Sequence, residues 1–114
     1  MRCTIKIPNW HPAPLNQLLG HWRNAHKRKK ADRNLIQCYT AHLPPAQQKR
    51  VVRLHIVLGK GQRACDPDAY WKSLLDALVK AGQLKDDSRQ WCELSPVQFS
   101  RGEMGCVIDL EDIA

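Results

Sequence analysis

Between Arg50 and Leu58 the chain reads R-V-V-R-L-H-I-V-L, with Val52, Leu54, Ile56 and Leu58 on one side and Arg53 and His55 on the other. Alternation of this kind predicts a strand with one buried face. The same period of two runs from Cys3 to Ile7 and stops at Pro8, predicting a short first strand. Pro12, Pro14, Asn16 and Gly20 then keep the chain in an irregular loop. From about Asn24 to His42 helix formers dominate, and Ala25, Leu35, Ile36, Tyr39 and Leu43 supply a partial apolar stripe. A helix is expected there, ended by Pro44 and Pro45, which lack the N–H that continuation needs. Trp71, Leu74, Leu75, Leu78 and Val79 recur at helical spacing and predict a second helix running to about Ala81. Asp66 is placed to cap it, Pro67 to occupy its first position, and Gly82 to end it in the left-handed conformation. Gln90 to Ser100 and Met104 to Leu110 read as two more strands, joined as a hairpin through Arg101-Gly102-Glu103, with Pro96 at an edge or a bulge. The order β-α-β-α-β-β, without internal repeats, predicts one α+β domain over residues 1–114. A small mixed sheet would carry two main helices packed on one face.

Composition agrees with a folded globular chain. The 114 residues are 43 % hydrophobic and 25 % charged, far from the signature of disorder, and no stretch is apolar for the length that crossing a bilayer requires. Cys3, Cys38, Cys65, Cys92 and Cys106 are odd in number and contain no C-x-x-C pair, which argues against a disulfide framework or a zinc knuckle. His11, His21, His26, His42 and His55 show no metal-ligand spacing. The opening Met-Arg-Cys-Thr-Ile-Lys-Ile-Pro has no apolar core of a secretory signal, so a cytoplasmic location is expected.

Charge changes the picture more. The net charge is +7, yet residues 1–65 hold 13 Lys or Arg against the single acid Asp32, whereas residues 66–114 hold 5 against 10 acids. Such polarity points to a polyanion-binding surface beside a set of acids with another purpose. The densest basic run, Arg23, Lys27, Arg28, Lys29, Lys30 and Arg33, is interleaved with His26 and follows Trp22. With Arg53, Lys60 and Arg63 it provides candidate contacts to a nucleic-acid backbone; a solvated helix face is the plainer alternative.

The acids concentrate around the second helix. Asp66-Pro67-Asp68 is followed by Lys72 at i+4 from Asp68, and Asp86-Asp87 arrives after the helix and its turn. If the chain after Gly82 doubles back along the helix, Asp87 can join Asp66 and Asp68 in a three-carboxylate site. Two carboxylates about 4 Å apart repel by about 4 kcal/mol at an effective dielectric near 20, and a hard divalent cation relieves this while keeping them ionised. Magnesium would serve phosphodiester cleavage, with Lys72 stabilising charge on the phosphate or the leaving group. Taken one at a time, the same residues are a helix cap, an i,i+4 surface pair and a solvated turn.

The combination resembles a known family. Asp66-Pro67-Asp68-Ala69-Tyr70-Trp71-Lys72, then Leu75-Asp76-Ala77-Leu78-Val79-Lys80-Ala81-Gly82, then Leu84-Lys85-Asp86-Asp87 is similar in order and spacing to the signature of the RusA-type crossover junction endodeoxyribonucleases. The proline-rich N-terminal loop with Asn16 and the paired closing strands extend the likeness over nearly the whole chain. The resemblance implies a homodimer that binds four-way DNA junctions and makes paired symmetric nicks with Mg2+, or Mn2+ in its place, in DNA recombination and repair. Neither a membrane nor a small-molecule cofactor is expected. By position, Asp66, Asp68 and Asp87 match the family's metal-binding and catalytic acids and Lys72 its important lysine. Asp86 matches the first acid of the terminal pair. The pattern departs at Ala69, where the family usually carries Asn, and loss of that amide is expected to lower activity or alter metal preference. Two other readings of the residues stay open at this point: a non-catalytic nucleic-acid-binding module, and a nuclease directed at flaps or forks.

Overall fold

The computed structural model describes residues 2–12, 22–64 and 67–113, with side chains from 27 onward in the second stretch. Strand β1 (Arg2–Pro8) leads to helix α1 (Trp22–Thr40), strand β2 (Arg50–Leu58) and helix α2 (Asp68–Lys80). Short strands β3 (Cys92–Leu94) and β4 (Gln98–Arg101) precede the last strand, β5 (Gly105–Asp112). The result is a small α+β domain with a mixed five-stranded sheet and two helices. Among the described residues no helix is long and apolar enough to cross a membrane.

The sheet runs β1-β5-β2, with β3 and β4 in line along the far edge of β2. β5 is antiparallel to both of its neighbours, whereas β3 and β4 run parallel to β2. A parallel neighbour requires a crossover, and α2 supplies it. Register carries the predicted alternation across the sheet. Ile5 and Leu54 both lie opposite Ile108, Cys3 and Val52 opposite Leu110, and Ile7 and Ile56 opposite Cys106. These residues form one buried face, and Ile36 of α1 and Tyr70, Trp71, Leu74, Leu75 and Leu78 of α2 complete the core on it. Burial of such a layer, at roughly 25 cal/mol per Å² of apolar surface, is the main force holding the helices down.

Several expectations need correction. The first helix spans Trp22–Thr40, about two residues earlier than its composition suggests at each end. Pro14, Asn16, Gly20, Cys65 and Asp66, and with them the expected loop and the expected cap, lie outside the described residues; Pro67 itself has helical dihedrals (φ −52°, ψ −40°). The turn Arg101-Gly102-Glu103 does not make a hairpin. β4 and β5 lie on opposite sides of β2, and the link between them passes over the end of that strand, where the Gly102 N–H donates to the Leu58 carbonyl at 3.0 Å. The predicted strand through Gln90–Ser100 is broken at Ser95–Val97, around Pro96, as an edge position permits.

Candidate active site

α2 buries Tyr70, Trp71, Ser73, Leu74, Leu75, Ala77 and Leu78, leaving a stripe at spacings of four to face outward: Asp68, Lys72, Asp76 and Lys80. Asp68 and Lys72 share that stripe but form no ion pair, so the plain surface-pair reading of these two residues is not realised. Beyond the helix, Gly82 takes φ +78°, which only glycine adopts freely, and the chain turns back sharply. The Gln83 N–H donates to the Leu78 carbonyl (2.9 Å) and the Gly82 N–H to that of Val79 (3.0 Å), satisfying two carbonyls the helix end leaves open.

The segment after this turn carries Asp86 and Asp87, and both of its ends are held by one residue. Arg50 is buried, 2 % exposed, and its Nη1 donates to the Gln83 carbonyl (3.0 Å) and to Gln83 Oε1 (3.1 Å). Its backbone N–H donates to the Trp91 carbonyl (3.1 Å), and its Nε bonds Asp112 Oδ1 at 2.8 Å. Within the segment the Lys85 ammonium sits 4.8 Å above the Trp91 ring, a cation–π contact, and the Cys92 thiol donates to the Asp87 carbonyl at 3.3 Å. Burial pushes the Cys92 thiol up, and the negative charges of Asp87 and Asp86 push it further in the same direction. Asp86 and Asp87 themselves stay exposed.

Held in this way, Asp86 and Asp87 share a cleft of about 180 Å³ with Asp76, Val79 and Lys80 of α2 and Arg33 of α1. Asp87 also borders a second cleft, of about 450 Å³, with Lys49, Arg89, Cys92, Glu93 and Leu94. Asp68 lines a third, of about 360 Å³, with Pro67, Trp71, Leu94 and the Ser95–Val97 break. The chain does double back, but to the middle and end of α2: Asp76 is two turns, about 12 Å of helix rise, beyond Asp68. Among the described residues no three His, Cys, Asp or Glu side chains reach metal-binding geometry, and Asp66 lies outside them. The donor set suits a hard cation. Asp68, Asp76, Asp86 and Asp87 are all carboxylates, and none is engaged by an ion pair or side-chain hydrogen bond among the described residues.

Scanned against models of protein families, the chain matches none, and a search of curated proteins returned no match.

The basic candidates divide. Lys27, Lys29, Lys30 and Arg33 lie on α1, and Lys60 and Arg63 are exposed in the segment after β2. The Arg33 Nε is shielded from solvent and bonds to nothing among the described residues, while its side chain lines the acidic cleft. Arg28 is committed: its Nε bonds both oxygens of Asp32 (3.0 and 3.1 Å) and its Nη2 the His11 carbonyl (3.0 Å). Arg53 pairs with Glu111 at 2.7 Å on the sheet face away from the helices. The side chain of Arg23 lies outside the described residues. Asp76, Lys49, Arg89 and Arg50 were not among the expected site residues. The spacing of four from Lys72 would have found Asp76, whereas Arg50 gives no local signal because its partners are distant in sequence.

Proposed function

We propose that this chain is a magnesium-dependent, structure-specific DNA endonuclease of the RusA type that resolves four-way junctions as a homodimer. The observation that carries the reading is the return of Asp86 and Asp87 to the exposed stripe of α2, where they meet Asp76 within reach of the basic helix α1. Uncommitted carboxylates next to an arginine with an unused donor are the two halves a phosphodiester hydrolase needs. One half holds a cation and the other the substrate backbone. Asp66, Asp68 and Asp87 are the metal ligands that the resemblance implies, and Asp76 and Asp86 line the cleft that Asp87 borders and add negative charge to it. Held by Asp66, Asp68 and Asp87, a magnesium ion would polarise the scissile phosphoryl group and lower the pKa of an attacking water. Lys72, exposed one turn from Asp68 and free of an ion pair, is available to stabilise developing negative charge. Arg33 and the α1 lysines orient the DNA backbone, and the Arg50 bonds hold the segment bearing Asp87 in place.

The test is cleavage of an immobile four-way junction and a matched linear duplex in EDTA, Mg2+ or Mn2+, with nick positions mapped on every strand. Paired, metal-dependent nicks confined to the junction are expected. Asp87→Asn should reduce cutting by at least 100-fold while junction affinity stays within about threefold. Junction binding without cuts in any metal would replace the nuclease by a binding module, and equal cutting of flaps or forks would redirect its substrate.

A further inference from the structure

Two of the clefts lie along the free edge of the sheet and share one residue, Leu94. Leu94 is 40 % exposed and is the single large apolar side chain so exposed among the described residues. A lone surface leucine needs no explanation, so its setting decides. On one side it shares a cleft with Trp71, Pro96 and Val97, where Asp68 is the one charged neighbour. On the other side it borders Lys49 and Arg89, neither of which is ion-paired among the described residues, together with Asp87 and Glu93. The edge therefore presents a groove with an apolar end and a charged end.

We infer that this groove takes an unpaired DNA nucleotide, its base against the exposed Leu94 and Pro96 and its flanking phosphates at Lys49 and Arg89. The inference rests on the DNA reading above and specifies which DNA: strands whose bases are free to leave the stack. A base in a duplex has its faces covered by its neighbours and cannot lay one against Leu94. An unstacked base offers an apolar face that water solvates poorly. The two cations supply the complementary charge for phosphates, at a site where the formal charges of Lys49, Arg89, Asp87 and Glu93 cancel. Affinity for the unpaired strand therefore rises when a divalent cation neutralises Asp87. A second copy of the chain adding a strand here is disfavoured, because Ser95–Val97 interrupts the ladder and Pro96 lacks an N–H to donate.

The experiment places 2-aminopurine at one unpaired position of a duplex and, in a second DNA, at the same position fully paired. Anisotropy and fluorescence quenching are measured with the full chain in EDTA and in Ca2+. The expected result is at least tenfold tighter binding of the unpaired DNA, with the preference larger in Ca2+. Leu94→Ser should bring the ratio below about two. Lys49→Gln combined with Arg89→Gln should lower the slope of log K against log salt for the unpaired DNA by about 1.4, two contacts at roughly 0.7 each. Equal binding of both DNAs by the wild type, or a preference that survives Leu94→Ser, overturns the inference. So does a Leu94→Ser variant that turns a dimer into a monomer by sedimentation while keeping its preference, since a second copy would then occupy the groove. Cleavage enters none of these readouts. A chain that shows the preference yet cuts nothing upholds the groove and sinks the nuclease; one that cuts junctions with an unaltered Leu94→Ser preference sinks the groove alone.

Discussion

Asp32, the one acid in the basic half, is 4 % exposed and accepts hydrogen bonds from Trp10 Nε1 and Arg28 Nε. It fastens the segment after β1 to α1, and it commits Arg28 to an internal ion pair. Asp32→Ala would leave the Trp10 and Arg28 donors without their acceptor and should destabilise the fold by about 1–3 kcal/mol, read from urea unfolding followed by tryptophan fluorescence. The same geometry predicts that Arg28→Gln leaves the salt dependence of duplex binding unchanged, whereas Lys30→Gln lowers its slope by about 0.9. The distinction was invisible in the sequence, where Arg28 and Lys30 are equal members of one basic run. Ion pairing, not composition, separates them. The thiols differ in the same way: burial pushes Cys106 up to about 12, leaving it a neutral core group, while Cys38 is exposed.

Among the elements, those whose signal is local were legible. The alternation from Val52 to Ile56 marks β2, which falls at Arg50–Leu58, and the apolar spacing of α2 and the stop at Gly82 are equally explicit. A left-handed residue with a Cβ costs about 1–2 kcal/mol, so Gly82→Ala should lower stability by that amount in chemical denaturation. The methyl group itself finds room, its nearest neighbour being Pro45 Cβ at 3.7 Å, so the loss would come from backbone strain. What the sequence could not disclose was pairing. Arg101-Gly102-Glu103 between two alternating runs has the same composition whether the runs pair or straddle a third strand, and the strand they straddle was laid down some forty residues earlier. The candidate site was half legible for a similar reason. Local spacing found the α2 stripe and the Asp86-Asp87 turn, but where that turn lands depends on Arg50, whose bonds reach Gln83, Trp91 and Asp112.

Over the whole molecule, β5 is tied to its neighbours by carboxylates as well as by the ladder. The Thr4 hydroxyl, assisted by Arg2, holds Asp109 below the usual carboxylate range, and the Arg50 guanidinium does the same for Asp112. A carboxyl with a lowered folded pKa contributes its stability above the unfolded value, near 3.9, and loses it as pH falls through the folded one. Stability should therefore be level from neutral pH to about 5 and decline below about 4, and Asp112→Asn should show a shallower decline in urea midpoints measured across that range. The polarity of charge between the two halves of the sequence becomes, in the fold, a basic helix lying next to an acidic cleft. The place of β5 has a temporal consequence. It is the strand made last, yet it stands between β1 and β2, which do not touch each other within the sheet. During synthesis the first two strands must wait, each with an open edge, until the seam between them arrives. A ribosome halted before Gly105 would display two helices able to pack on each other over a sheet that lacks its central strand.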